Sequence, residues 1–271
     1  MPGLVPGIHV FGVASIMDLH AAVMLFGAGI AGGALAGLIG GASIITFPVL
    51  LAVGLPPVIA TATNLVAVTP GNVSAVLLDR SQLPPFDRTL VGLIATTIAG
   101  AAAGSILLML TPARVFEILV PLLLGFATVL LALSPQVSQW LRTRATASGG
   151  ELPRVSSGPM LIAVSIYGGY FGAGVGVLLL AALTVATGGD YRAANATKNL
   201  VLIFNTLAAA VVLGVQHAVN WPAALVMMAG AFLGGFLGGY LGRIAAPQVM
   251  RVVVVAAGAI LTVAYAWRYW F

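Results

Sequence analysis

Residues 194–201 read Ala-Asn-Ala-Thr-Lys-Asn-Leu-Val. This stretch places Lys198 between Asn195 and Asn199 in a segment otherwise apolar enough for a membrane interior. An ionisable side chain at that depth is costly and marks a functional position by default. Residues 60–66 read Ala-Thr-Ala-Thr-Asn-Leu-Val, a near copy without the lysine. One polar box, written twice in an apolar chain, is the clue from which fold and function are read.

The surroundings of the two boxes set the class. Of 271 residues, 61% are hydrophobic and 6% charged, against about a quarter charged in a soluble domain. Such a chain cannot cover a water-facing surface, and its long apolar runs read as membrane helices. The 34 glycines fit, because glycine lets membrane helices approach closely. The formal charge of +5 comes from singly scattered arginines, which read as topology signals and not as a nucleic-acid patch. The chain has no cysteine, and His9, His20 and His217 have no metal-ligand spacing. Residues 1–18 lack the basic flank and clean apolar run of a secretory signal.

Working outward from the boxes, apolar segments fall at about 21–39, 42–55, 58–78, 89–110 and 115–133, and again at 159–176, 177–187, 190–214, 221–242 and 249–267. Pro70-Gly71-Asn72 is expected to break the third of them. Shifting the first half by 134 positions lays Ala60, Ala62 and Thr63 on Ala194, Ala196 and Thr197, and Gly100 and Gly104 on Gly234 and Gly238. Repeats of this kind mark secondary transporters. The expected fold is therefore an all-α polytopic membrane protein. It has two internal repeats of about five helical segments each, some short or broken, the second inverted relative to the first. Residues 1–20 read as an N-terminal interfacial segment, 21–133 as the first repeat, 134–158 as a polar cytoplasmic linker and 159–271 as the second repeat.

Inversion rests on the arginines. With five crossings per half, one side receives Arg80, Arg88, Arg142, Arg144, Arg154, Arg192, Arg243 and Arg251, and the other only Arg114 and Arg268. The positive-inside rule favours that odd count, which makes the halves antiparallel and puts both termini outside. The segments at 42–55 and 177–187 are short for a full crossing, which needs ~20 residues. Half-helices meeting broken backbone at the midplane would reconcile the two observations.

The pattern Gly-Leu-Ile-Gly-Gly-Ala-Ser-Ile-Ile-Thr-Phe-Pro (37–48), followed by Gly-Leu-Pro-Pro (54–57) and Ala-Thr-Ala-Thr-Asn (60–64), resembles the TauE/SafE sulfite exporter family of membrane permeases. In the second half, Gly-Gly-Tyr-Phe-Gly-Ala-Gly-Val-Gly (168–176) and Ala-Asn-Ala-Thr-Lys-Asn (194–199) look like that family's second repeat. The resemblance covers nearly the whole chain. At Gly41-Ala42-Ser43 members often carry more glycine. It implies a bacterial inner-membrane protein that moves small anions: sulfite, organosulfonates and related organic acids.

A permease for an oxyanion must replace hydration inside a low-dielectric region. A positive side chain, amide and hydroxyl donors, and half-helix N-termini can each do so. The candidate binding residues are Lys198, Asn195, Asn199 and Thr197 in one box, Asn64, Thr63 and Thr61 in the other, and Ser43, Gly41 and Gly174 at the glycine-rich breaks. Each has a plainer reading. Lys198 can snorkel towards headgroups. The asparagines can bridge helices. The threonines can bond back to their own helix, and the glycines can serve packing alone. Asp18, Asp79, Asp87, Glu117, Glu151 and Asp190 all fall at or near segment ends, so no carboxylate relay is read. No catalytic set, metal cluster or nucleotide loop appears, so neither an enzyme nor a cofactor is expected. The expected partners are a small anion and the lipid bilayer, with no nucleic acid. A homodimer is left open. A channel-like anion pore and a proton-coupled importer of small organic acids or sulfonates are the alternatives to an exporter or facilitator.

Overall fold

The computed structural model describes residues 18–38, 40–147, 159–186, 190–241 and 247–270, and every regular element in them is a helix. The first half contains α1 (Leu19–Leu38), α2 (Ser43–Ala52), α3 (Pro57–Ala67), α4 (Thr69–Leu78), α5 (Arg88–Leu110) and α6 (Ala113–Ala132). After α7 (Ser134–Ala147) come α8 (Pro159–Tyr170), α9 (Val175–Ala186), α10 (Tyr191–Val215), α11 (Trp221–Leu241) and α12 (Pro247–Trp270). Among the described residues, seven helical stretches are long and apolar enough to cross a membrane, counting Pro57–Leu78 as one. Ser43–Ala52, Pro159–Tyr170 and Val175–Thr184 are shorter. The expected all-helical membrane architecture is therefore what the chain adopts. His9 and most of the expected N-terminal interfacial segment, Arg154, the turn at 188–189 and Arg243 lie outside the described residues.

Local chemistry explains the boundaries. Gly40 closes α1 at φ +78°, its N–H donating to Leu35 O at 2.9 Å, and Gly172 closes α8 at φ +79°, its N–H donating to Tyr167 O at 3.2 Å. That backbone region is open to glycine and strained for other residues. The break in the third segment falls at Val68, two residues before Pro70, because the proline ring acts on the turn preceding it. Asp87 caps α5 by accepting from Leu90 N–H at 2.8 Å. Asp190 caps α10 by accepting from the N–H groups of Arg192 and Ala193 at 2.9 and 3.1 Å. An N-cap of this kind stabilises by about 1 kcal/mol. Asp190→Ala is accordingly expected to lower the thermal midpoint of the purified protein by roughly 2–4 °C.

Residues 134–147 of the polar stretch between the halves are helical, and α7 packs against α9.

Bilayer interiors supply no hydrophobic drive between helices, so close backbone packing must hold the bundle. The glycines provide it. Gly29 and Gly33 of α1 lie against the backbone of Met227 and Ala231 in α11, while Gly230, Gly234 and Gly238 lie against Phe26, Ile30 and Ala34 of α1. In α5, Gly100 and Gly104 face Ser165 and Ile166 of α8, and Gly169 faces Ala101. Ser105 Oγ adds a cross-helix bond to Gly169 O at 3.1 Å.

The two halves are interleaved. The helix α1 pairs with α11 of the second half, and its repeat counterpart α8 pairs with α5 of the first. Likewise α4 packs on α11 and α10 on α5. These pairings are reciprocal under the 134-residue shift. They bring the breaks at 38–43 and 170–175 together in the interior, where a Cβ on Gly40 would lie 2.6 Å from Gly176 Cα. Phe47 of α2 meets Phe171 edge to face at 5.1 Å beside this crossing.

Candidate functional site

A cavity of ≈ 30 Å³ lies where the two breaks meet. The N-terminal end of α2 contributes Gly40, Ala42 and Ser43, and that of α9 contributes Gly172 and Val175. A helix N-terminus carries unsatisfied N–H groups and about half a positive charge. Two such ends converge here. The lining draws on both halves: Val68 and Leu202, and Asn72 and Thr206, are related by the 134-residue shift, Asn205 stands beside Thr206, and Gly40 and Gly172 are the left-handed glycines of the two breaks.

Asn72 and Asn205 are 3% and 1% exposed. The Asn205 amide orientation is set by Nδ2 donating to Ser165 O at 3.3 Å. Its Oδ1 and the Oδ1 of Asn72 have no hydrogen-bond partner among the described residues. A buried carboxamide oxygen left in this way costs about 1–3 kcal/mol, which is unusual for a position with only a packing role. The sequence reading missed both as binding residues. Asn72 was visible only as part of a helix break. Asn205 lies seven residues beyond Lys198, on the same helix face, and extending that face along α10 would have found it.

The box that drew attention first has a different neighbour. Helix α10 brings its polar face against the C-terminal end of α1, whose last carbonyls have no partner within that helix. Lys198 Nζ donates to Ala36 O at 2.9 Å, Asn195 Nδ2 to Gly37 O at 2.8 Å, and Tyr191 Oη to Leu38 O at 2.6 Å; Asn199 Nδ2 reaches Gly37 O at 3.5 Å. With Gly40 on Leu35 O, all four terminal carbonyls are met. Lys198 is fully buried, so it does not snorkel. A cation at the negative end of a helix is favoured by up to about 2 kcal/mol when buried. The Oδ1 atoms of Asn195 and Asn199 have no partner among the described residues. On the other side of this cluster lies a second cavity of ≈ 150 Å³, lined by Gly37, Leu38, Asp79, Tyr191, Arg192 and Asn195 among others. Asp79 also lies within electrostatic reach of Lys198.

The remaining candidates are dispersed. Asn64 occupies the repeat position of Lys198, but its Oδ1 accepts from Thr46 Oγ1 of α2 at 2.5 Å, tying α3 to α2. Thr61 bonds Pro57 O and Thr197 bonds Ala193 O, each within its own helix. Thr63 Oγ1 accepts from Asn220 N–H at 3.0 Å. Gly41 packs towards Leu131 and Gly174 against Ala127. Of the residues singled out from the sequence, Ser43 lines the central cavity, while Lys198, Asn195 and Asn199 form the cluster beside it. The Thr61, Thr63, Thr197, Gly41 and Gly174 positions lie in the supporting packing, because their polar or backbone groups are engaged by neighbours.

Comparison with known proteins points to a membrane transporter. The chain is 25% identical over 241 residues to "Probable membrane transporter protein YfcA" of Escherichia coli K12, covering 88% of this chain and 87% of the relative. It is 29% identical over 220 residues to "Probable membrane transporter protein ORF9" of Sinorhizobium sp, covering 80% and 82%. It is 25% identical over 211 residues to a "Probable membrane transporter protein" of Haemophilus influenzae, covering 78% and 81%. No solved structure matches it. The family pattern described as "Sulfite exporter TauE/SafE" matches residues 25–265. With nearly its whole length matched, this chain belongs to the TauE/SafE sulfite exporter family of membrane transporters.

Proposed function

We propose that the chain carries a small anion such as sulfite or an organosulfonate across the cell membrane, through the central cavity and by alternating access between inverted halves. The observation that carries this reading is the make-up of the cavity: equivalent positions of both repeats line it, at the converging N-termini of two short helices. A site shared between two halves can open to either side as one half rocks against the other. The paired helix ends supply positive potential and N–H donors without a bound cation, as anion recognition requires. Lys198 offsets the opposing C-terminal end of α1, so the local balance suits a single negative charge. The arginine distribution supports 134–158 on the cytoplasmic side. Expelling a monoanion from a negative-inside cell is downhill by about 2.3 kcal/mol per 100 mV, so export needs no coupled ion.

The test is sulfite flux by the purified protein in proteoliposomes. Val68→Leu adds roughly one methylene at the wall of the ≈ 30 Å³ cavity and is expected to cut flux at least tenfold while the folded yield is kept. Thr197→Val, whose hydroxyl serves its own helix, is expected to leave flux within about twofold. Unchanged flux in Val68→Leu would place the path elsewhere. Unitary currents in place of saturable counterflow would identify a pore.

A further inference from the structure

We propose that the second cavity is the mouth of the path on the side bearing Arg192, and that the last turn of α1, residues 36–38, is the gate between this mouth and the central cavity, latched shut by α10. This inference rests on the central cavity being the transport site and adds how that site is reached.

The partition comes first. Ala36 lines the central cavity, whereas Gly37 and Leu38 line the second. A single helical turn therefore separates the two spaces. The second cavity, at ≈ 150 Å³ and with Asp79, Arg192 and Asn195 in its wall, has the room and the polar partners for a hydrated ion. The central space of ≈ 30 Å³ is closed down to the size of on the order of two waters, so an anion enters it only when a wall moves.

The wall at residues 36–38 is the part of α1 that can move. Upstream, the helix is clamped on α11 backbone to backbone: a Cβ on Gly29 or Gly33 would run into the carbonyl oxygens of Met227 and Ala231, and one on Gly238 into that of Ala34. The clamp ends there. A Cβ on Gly37 would meet a side-chain carbon of Ala75 at 3.3 Å, and the nearest atom of α11, Gly235 O, at 3.8 Å. Gly40, at φ +78°, follows as a pivot, because glycine changes backbone region at little steric cost.

The latch is on α10. Lys198 donates to Ala36 O, Asn195 and Asn199 converge on Gly37 O, and Tyr191 donates to Leu38 O. The closed arrangement also carries a penalty. The Oδ1 atoms of Asn195 and Asn199 are buried without a partner among the described residues, which raises its free energy. Donors spent on the turn against acceptors left unpaired keep closed and open arrangements near balance, as a gate that alternates requires. The first box does not repeat this latch, since Asn64, at the repeat position of Lys198, accepts from Thr46 of α2.

The chain has no cysteine, so one introduced thiol reports one position. Ser43→Cys puts it in the central cavity. The experiment measures its labelling rate by a membrane-impermeant methanethiosulfonate in right-side-out and inside-out membrane vesicles, with Arg192→Cys in a separate sample identifying the face of the second cavity. Tyr191→Phe and Asn195→Leu each remove one latch bond and no charge. Labelling of Ser43→Cys from the Arg192 face is expected to rise about fivefold with either and at least tenfold with both, while labelling from the opposite face stays level or falls. Thr197→Val, whose hydroxyl bonds its own helix, is expected to leave the rate within about twofold. No rise in any latch variant would overturn the gate. An equal rise from both faces would overturn it too, because it would mean loosened packing. If Asn195→Leu does not fold, Tyr191→Phe decides. The rates are read without transport, so the two proposals fail separately. Unmoved rates with flux still sensitive to Val68→Leu would remove the gate and leave the path, whereas gated labelling with flux insensitive to Val68→Leu would keep the gate and remove the path.

Discussion

Lys198→Met is expected to keep or raise the thermal midpoint of the purified protein while lowering anion flux at least tenfold. Two effects oppose each other in stability. Removing the ammonium deprives Ala36 O of its donor, a loss of about 1–3 kcal/mol, and removes a favourable charge at the end of α1 of up to about 2 kcal/mol. Against this, holding a fully buried cation whose hydrogen-bond partner is a neutral carbonyl costs several kcal/mol in desolvation. Methionine has a similar length and fills the same channel through the packing. The balance therefore comes out near zero or in favour of the variant. A charge retained at a net cost to stability points to function, here the local potential that draws an anion towards the cavity. A lowered midpoint together with unchanged flux per folded molecule would make Lys198 a structural cap and nothing more.

Gly33→Ala is expected to abolish the folded, monodisperse protein, at a cost above about 3 kcal/mol, whereas Gly27→Ala in the same helix is neutral or mildly stabilising. A Cβ on Gly33 would run into the backbone carbonyl of Ala231, and neither helix can yield without opening the whole α1–α11 seam. Overpacking against a side chain costs about 1–3 kcal/mol, and backbone offers less relief. Gly27 has nothing within 4 Å of the added carbon, so the variant feels only helix propensity, worth up to about 1 kcal/mol. Size-exclusion profiles and thermal midpoints of the two variants in the same detergent make the comparison. Similar behaviour would mean that close approach of α1 and α11 does not hold the bundle.

These expectations show which features could be read from the chain alone. The helix-break-helix pattern around 38–43 and 170–175 was legible because glycine and proline act locally, through φ and a missing N–H. The GxxxG pairs were legible as packing devices, but their partners were not, since spacing does not say which helix arrives. The interleaving of α1 with α11 and α8 with α5 is a property of the assembled bundle.

The candidate site divides in the same way. That Lys198, Asn195 and Asn199 share a face follows from helical periodicity. That this face meets the carbonyl ends of α1 follows only from packing between residues some 160 positions apart. Asn64 and Lys198 hold the same place in the two boxes, yet one ties α3 to α2 and the other closes α1. Asn72 and Asn205 drew no notice as binding residues because an asparagine in an apolar helix is ordinary until its unpaired oxygen is found beside a cavity. The sequence by itself determined a helical membrane protein with a duplicated polar box, because composition and period act within each segment. Only the tertiary structure decided which polar groups are spent on helix ends and which remain free for a ligand, because that accounting depends on what the rest of the fold brings within hydrogen-bond reach.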